Sequence, residues 1–169
     1  TGLVPPLLWK HGGREYLIKA TNTVACYDPK TGKQLWSGGK GGNSGYNSAT
    51  PALKGDLLVM HGAWKMQRKE HRNQPGKWEG WVCYRLKSDG LEKVWSLDGA
   101  YLGKMYIAPV IVGDHVWLPF GRESGATGRT NLSLGRKEHG FACVELATGK
   151  VVSESKAVQF RSVCPGPVA

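Results

Sequence analysis

The sequence lacks the features that would place it across a membrane or around a structural metal. Its longest apolar run is far shorter than the roughly 18 residues that span a bilayer, so we expect no membrane span, and we recognise no targeting peptide. Its four cysteines include no Cys-x-x-Cys pair, which excludes zinc ribbons, thioredoxin-like redox sites and c-type haem attachment. Acidic residues are also few: 13 Asp and Glu stand against 23 Lys and Arg, a formal net charge of +10.

Catalytic motifs are missing as well. The glycine-rich segment 38–45 lacks the spacing of a Walker phosphate loop, and His11-Gly12-Gly13 has no Gly-x-Ser-x-Gly nucleophile motif to accompany it. His61 and His115 fall on predicted strands, where packing or surface roles are more common than metal ligation. The sequence therefore predicts no catalytic residue, no metal site and no cofactor, and it favours a binding role over an enzymatic one.

The chain does contain an internal repeat of just under 60 residues. Such periods indicate solenoids, propellers or arrays, so they decide the fold before any local pattern does. The matched landmarks are the cysteines Cys26, Cys83 and Cys143, the tryptophans Trp36 and Trp95, the prolines Pro51 and Pro109, and the turn residues Asp28, Gly32 and Gly149. Because several landmarks share one period, the repeat organises the whole chain.

Each repeat predicts four short β-strands. Apolar runs bounded by Gly-Asp or Pro-Gly turns are typical of buried strands, and no segment has a sustained helical period. In the middle copy the predicted strands are Ser48–Leu53, Leu57–His61, Gly80–Leu86 and Lys93–Leu97. Four such strands per repeat are typical of one blade of a β-propeller.

We therefore predict an all-β fold: a β-propeller segment of about three four-stranded antiparallel blades within one unit, residues 1–169. The predicted blades are 5–36, 48–97 and 107–155, and 163–169 resembles the start of a further blade. Closed propellers have about 4–8 blades, and three would leave open sheet faces. We expect the ring to be closed by missing blades of a longer chain or by other copies of this one.

The segment Cys26–Trp36 reads Cys-x-Asp-x-x-Thr-Gly-x-x-x-Trp, and it resembles the repeat of the pyrroloquinoline-quinone-like (PQQ-like, quinoprotein alcohol dehydrogenase-like) β-propeller family. The Pro-x-x-x-Gly-Asp string that begins at Pro51 is also similar to that family. The resemblance covers nearly the whole chain in three copies. The copies that depart do so at the acidic and tryptophan positions. The second has Arg85 and one extra residue between Gly90 and Trp95, and the third has Glu145 and Ser153.

The resemblance implies a non-catalytic, extracytoplasmic module, periplasmic or secreted, that acts as a binding platform or scaffold. The alternative that it implies is a segment of a PQQ-dependent dehydrogenase, an oxidoreductase that holds PQQ and calcium on the loop face of a complete ring. Such enzymes commonly carry two adjacent cysteines against the cofactor, and this sequence has no adjacent pair. We expect PQQ and calcium only under that alternative.

The repeat also assigns the cysteines. Cys26, Cys83 and Cys143 occupy one equivalent position, where the family usually has a small residue. Rotation from blade to blade would hold the three sulfurs apart, so disulfides between them are not expected. We predict three small, buried, apolar side chains.

Positive charge and aromatic residues accumulate in two kinds of predicted connection: those between blades and those between the second and third strands of one blade. Both kinds of connection lie on the same face. Clustered cations attract anionic partners, so we predict that this face binds a polyanion or another protein. The candidate residues are Lys40, Tyr46, Lys65, Arg68, Lys69, Arg72, Trp78, Tyr101, Lys104, Arg122, Arg129 and Arg136.

Overall fold

The computed structural model describes residues 4–39, 49–62, 79–98, 101, 108–122 and 138–156, and over these residues the chain is all-β. Its strands are β1 (Leu7–His11), β2 (Arg14–Ala20), β3 (Val24–Tyr27), β4 (Gln34–Gly38), β5 (Ala52–Lys54), β6 (Leu57–His61), β7 (Glu79–Lys87), β8 (Gly90–Asp98), β9 (Val110–Val112), β10 (His115–Arg122), β11 (Glu138–Glu145) and β12 (Val151–Lys156). The predicted all-β class is confirmed. The predicted further blade at 163–169 lies outside the described residues.

The strands form three four-stranded antiparallel sheets in chain order: sheet 1 (β1–β4), sheet 2 (β5–β8) and sheet 3 (β9–β12). The first hairpin of each sheet closes through a two-residue turn that begins with a glycine. Gly12, Gly55 and Gly113 have φ values of +57°, +56° and +56°, a left-handed conformation that side chains with a Cβ rarely adopt. These glycines therefore set where each sheet turns.

The three sheets have the same register around the repeated cysteines. Each cysteine lies between a residue of the second strand and a residue of the fourth, in the rows Ile18–Cys26–Trp36, Val59–Cys83–Trp95 and Trp117–Cys143–Ser153. The pairing of the third and fourth strands shifts immediately after the cysteine in all three sheets, which is the mark of a β-bulge. The predicted equivalence of the cysteines is confirmed.

Sheet 2 is buried on both faces, because successive side chains of a strand point to opposite sides. Along β6, Leu58 and Met60 pack against sheet 1, whereas Val59 packs against sheet 3. Along β7, Val82 packs against sheet 1 and Trp81 against sheet 3. The three sheets are therefore stacked face to face with two separate apolar cores.

Each core joins one pair of neighbouring sheets. The first contains Trp9, Tyr16, Ile18, Ala20, Val24, Cys26 and Trp36 from sheet 1 with Leu58, Met60, Val82, Tyr84 and Leu86 from sheet 2. The second contains Val59, Trp81, Cys83 and Trp95 from sheet 2 with Val116, Leu118, Phe120, Ala142, Val144 and Leu146 from sheet 3.

The first strand of sheet 2 is shorter than predicted. The sequence predicted a strand from Ser48, but β5 begins at Ala52, and residues 49–51 are not in a strand. Pro51 lacks the N–H that a ladder would use, so it precedes the strand instead of entering it. Pro109 stands in the same place before β9, as the repeat predicted.

The last hairpin of sheet 2 is longer than predicted. β7 and β8 remain paired as far as Lys87 and Gly90, and the sequence placed the ends of these strands at Leu86 and Lys93. Sheets 1 and 3 instead use a longer turn at this point, closed by bonds from the Gly32 N–H to the Asp28 carbonyl and from the Gly149 N–H to the Glu145 carbonyl. The second repeat therefore replaces an open turn with a continuous ladder.

Burial keeps two of the thiols neutral. Cys26, Cys83 and Cys143 are free and buried, as predicted, and desolvation raises the pKa of Cys26 to about 11 and that of Cys83 to about 12. Because the folded-state pKa is raised, these thiols favour the folded state below the pKa of an unfolded thiol, near 9. That contribution is lost as pH rises through about 11–12.

We predict that a Cys143→Ser, Cys164→Ser variant, which retains only Cys26 and Cys83, reacts with a thiol reagent at pH 8 more than 100-fold more slowly when folded than in denaturant, because attack requires an exposed thiolate. The measurement is the rate of colour release from a disulfide reagent with and without guanidinium. Rapid labelling of the folded variant would show that the interfaces between the sheets open readily.

Candidate binding surface at the loop end

Each sheet has a turn end, which carries its first and last hairpin turns, and an opposite loop end. In sheet 2, His61 and Glu79 lie at the loop end and lead into the β6–β7 connection, and Asp98 is paired with Glu79 there. In sheet 3, Arg122 is paired with Glu138 at the same end. The connections between second and third strands therefore leave from the same end of each sheet as the connections between sheets.

A polar contact at the turn end joins each sheet to the next. The Trp9 Nε1–H donates to Asp56 Oδ1 at 3.0 Å, and His11 Nδ1 lies 3.0 Å from the same oxygen. One sheet further on, Lys54 Nζ donates to the Gly113 carbonyl at 2.6 Å and to Asp114 Oδ1 at 3.1 Å. In both cases the last part of a first strand contacts the acidic turn of the following sheet, so the sheets stack in the same orientation.

A tryptophan forms a second contact between sheets 2 and 3. The buried Trp95 Nε1–H donates to the Leu146 carbonyl at 2.8 Å. The indole ring lies against Gly149, where a Cβ atom would be only 2.6 Å from the ring carbon Cγ. The absence of a side chain at Gly149 is therefore what admits the ring.

The matching tryptophan of sheet 1 lacks this arrangement. Trp36 is buried, and its Nε1 has no hydrogen-bond partner among the described residues. The acceptor that corresponds to Leu146 is Leu86, which in sheet 2 is paired with Leu91 in the extended β7–β8 ladder. Leu91 packs against the core that contains Trp36, and sheet 2 lacks the open turn that receives Trp95 in sheet 3.

Aromatic side chains gather at the loop end between sheets 2 and 3. His61 is 8% exposed and stacks on Trp81 with ring centroids 4.0 Å apart. The Trp81 Nε1–H donates to the Pro119 carbonyl at 3.0 Å, which ties the pair to sheet 3. We call this contact between sheets 2 and 3, which includes His61, Trp81 and Pro119, the aromatic joint. It is a packed interface rather than an open cleft.

Tyr101 belongs to the same joint. Its hydroxyl donates to Glu154 Oε1 on β12 at 2.5 Å, and its ring meets Phe120 edge-on with centroids 5.7 Å apart. These two contacts hold the connection from sheet 2 to sheet 3 at the loop end, which is the side of the predicted binding face.

The structure places two of the twelve predicted face residues. Tyr101 lies in the joint, and Arg122 ends β10 at the loop end. Outside the described residues are Lys40, Tyr46, Lys65, Arg68, Lys69, Arg72, Trp78, Lys104, Arg129 and Arg136. The described strands hold the flanks of the segments 63–78 and 123–137 at the loop end, so both basic connections begin and finish on the predicted side.

Sequence reasoning missed the aromatic joint. It singled out Tyr101 for a ligand and gave His61 a packing or surface role, but it did not connect either to Trp81, Phe120 or Glu154. One signal was available: in the hairpin of β6 and β7, His61 falls directly opposite Trp81, and cross-strand neighbours on one face are in contact. The contact of Tyr101 with Glu154 had no such local signal.

The described residues contain no group of three or more His, Cys, Asp and Glu side chains that could hold a metal ion. Among the same residues, no helix is long and apolar enough to cross a membrane. No protein-family model matches this chain, and no curated protein is significantly similar to it.

Proposed function

We propose that this chain is a non-catalytic module of PQQ-like β-propeller repeats that acts as an extracytoplasmic scaffold and binds an anionic partner at its loop end. The observation that carries the proposal is the repetition of contacts between sheets: Trp9 and Lys54, at matching positions, each bind the acidic turn of the next sheet. A stack in which one contact pattern recurs is what radially repeated blades require.

The open ends of the stack support the expectation of further blades. Sheets 1 and 3 each have one face that no other described sheet covers, and two sheets packed on a third do not make a closed ring. Missing blades, or other copies of the chain, would complete the propeller. Extracytoplasmic placement comes from the family resemblance.

The aromatic joint favours binding over catalysis at the loop end. The described polar groups there are engaged with each other, as Tyr101 is with Glu154, and they form no assembled set of nucleophile, base and oxyanion donors. The chemistry that remains is the charge of the two long connections. Residues 63–78 carry Lys65, Arg68, Lys69, Arg72 and Lys77 against one acid, Glu70.

We predict that charge reversal in the β6–β7 connection, by Arg68→Glu, Lys69→Glu and Arg72→Glu, abolishes retention on heparin. Exposed charges act over about 8 Å at physiological ionic strength, so a local cluster contributes more than the net charge does. Retention is measured as the salt concentration at elution, and thermal stability should be nearly unchanged because no described core residue is altered.

The matched control applies the same change of charge at the turn end, by Lys30→Glu, Lys33→Glu and Lys150→Glu. These three lysines are exposed and lie in the last-hairpin turns of sheets 1 and 3. The control should elute only slightly earlier than the unmodified chain. Equal losses in both variants would show that heparin senses net charge alone, and retention of the first variant would contradict the proposed anionic partner.

A further inference from the structure

The face of sheet 3 that points away from sheet 2 carries exposed apolar side chains together with His115 and Glu145, and no described residue of the other sheets covers it. Four hydrophobic side chains on it are substantially exposed: Val110 at 56%, Val112 at 59%, Trp117 at 38% and Val152 at 55%. Cross-strand pairing of Trp117 with Val110 and with Cys143 places these residues on one continuous surface. A surface of this kind indicates a binding partner.

The same face of sheets 1 and 2 is covered by the next sheet. Ile18 and Val59, which match Trp117, are completely buried, and so are Cys26 and Cys83. Val94, which corresponds to Val152, is partly buried against the core between sheets 2 and 3, whereas Leu35 at the same position of sheet 1 is 43% exposed. The free face of sheet 3 therefore continues an interface that the molecule already uses twice.

The third copy differs in where it carries its tryptophan. In sheets 1 and 2 the cysteine on the third strand has an aliphatic residue beside it on the second strand and a tryptophan beside it on the fourth, as in Val59–Cys83–Trp95. In sheet 3 the order is Trp117–Cys143–Ser153. The tryptophan of sheet 3 is therefore on the second strand instead of the fourth, which is a displacement of two strands or about 10 Å.

The polar contacts of the repeat are also absent on this face. Ser153 stands where sheet 2 has Trp95, whose indole N–H donates to a carbonyl of the next sheet. Val112, which matches Lys54 in register, has no group that could bind an acidic turn. A sheet docked here would therefore lack the contact that Lys54 makes with the Gly113–Asp114 turn, although His115, the cross-strand neighbour of Val112, lies on the same face.

We propose that this face binds a further four-stranded antiparallel sheet, and that Trp117, Ser153 and Val112 together select a sheet shaped differently from sheets 2 and 3. The selected sheet has a small side chain opposite Trp117 and added volume opposite Ser153, and it does not depend on a lysine contact to its first hairpin turn. The inference rests on the propeller-type stacking proposed above and identifies the kind of blade that follows sheet 3.

A second copy of this chain fits less well than such a sheet. Docking of sheet 1 of one copy onto sheet 3 of another would bury Lys19, which stands in register where sheets 2 and 3 have Met60 and Leu118. A buried lysine without a partner is strongly unfavourable. Lys19 on sheet 1 and the exposed apolar side chains of sheet 3 therefore do not complement each other.

Close packing explains the selectivity. The inner face of sheet 3 accepts Trp95 through the Leu146 carbonyl and the space above Gly149. If a sheet identical to sheet 3 docked onto the free face, Ser153 would neither fill the space above the glycine of the docked sheet nor donate to its carbonyl group. The docked side chains that Val59 accommodates in the existing interface would instead meet the indole ring of Trp117. Cavities and excess volume are both destabilising.

The test extends the full chain with a copy of its own residues 99–156, inserted after Lys156 and followed by the native residues 157–169. One version keeps the native face of sheet 3. The second carries Val112→Lys, Trp117→Val and Ser153→Trp in the original sheet, which recreates the face of sheet 2. The third carries Trp117→Val alone, in case the triple variant folds poorly. The readouts are amide exchange of β9 and β10 and the elution volume of the monomer.

We expect the added sheet to slow amide exchange in β9 and β10 about tenfold or more on the recreated face, an intermediate effect for Trp117→Val, and little change on the native face. Equal protection on the native and recreated faces would overturn the selective role of Trp117, Ser153 and Val112 but leave the proposed stacking intact. Protection on none of the three faces would contradict the propeller-type stacking itself.

Discussion

Replacement of Trp95 with alanine is expected to lower the free energy of unfolding by about 3–5 kcal/mol, the range for removal of a large buried aromatic side chain. The indole fills the core between sheets 2 and 3 and is 7% exposed. Its loss also leaves the Leu146 carbonyl without the donor that binds it at 2.8 Å. Chemical denaturation followed by far-UV circular dichroism measures the change.

The two tryptophans of the repeat provide a matched comparison. Trp95→Phe removes a hydrogen bond and leaves a buried acceptor unpaired, which costs about 1–3 kcal/mol beyond the lost volume. Trp36→Phe removes an N–H that has no partner among the described residues, so it should cost less, although Trp36 is similarly buried at 9% exposure. If Trp36→Phe proved the more damaging change, the assignment of Trp95 as the anchor between sheets would be wrong.

Gly149→Ala is expected to destabilise the protein by about 2–4 kcal/mol, from backbone strain together with forced separation of the sheets. Gly149 has a φ of +77°, and a Cβ there would lie 2.6 Å from Cγ of Trp95. Because the ring is anchored in the core, it cannot swing aside. The shift of the urea midpoint measures the effect.

Gly32→Ala is the control that separates strain from contact. Gly32 occupies the same place in the first repeat with a similar φ of +69°, but nothing lies within 4 Å of its virtual Cβ. It should show the strain alone, about 1–2 kcal/mol. Equal effects at both glycines would show that Gly149 is selected only by its backbone conformation.

A double variant tests the contact directly. In Gly149→Ala with Trp95→Ala the added methyl group meets no ring, so the cost of Gly149→Ala should fall to that of Gly32→Ala. Such non-additivity is the expected signature of residues in contact. Additive effects would place the steric conflict somewhere other than the indole.

Much of the fold could be predicted from the sequence because its signals are local. Glycines that permit positive φ mark the hairpin turns, alternating apolar residues mark the strands, and the period of the cysteines aligns the three sheets. The errors fall where a local signal was ambiguous: Pro51 was placed inside a strand, and the tight Lys87–Gly90 turn, which extends β7 and β8, was predicted to be more open.

The candidate site was less accessible to sequence reasoning. Charge in the connections β6–β7 and β10–β11 could be read directly, and the antiparallel order of strands put both at the loop end. The engagement of Tyr101 with Glu154, 53 residues away, could not be predicted, since a side-chain hydrogen bond depends on how two sheets meet.

The sequence by itself determined the repeat, the strand order, the first hairpin turn of each sheet and the equivalence of Cys26, Cys83 and Cys143. Only the tertiary structure decided that Trp95 is anchored, that the buried Trp36 has no partner among the described residues and that Trp117 stands on a face that no described sheet covers. The physical reason is that alternation fixes which side of a strand a residue occupies, whereas the neighbour it meets there is set by the stacking of separate sheets.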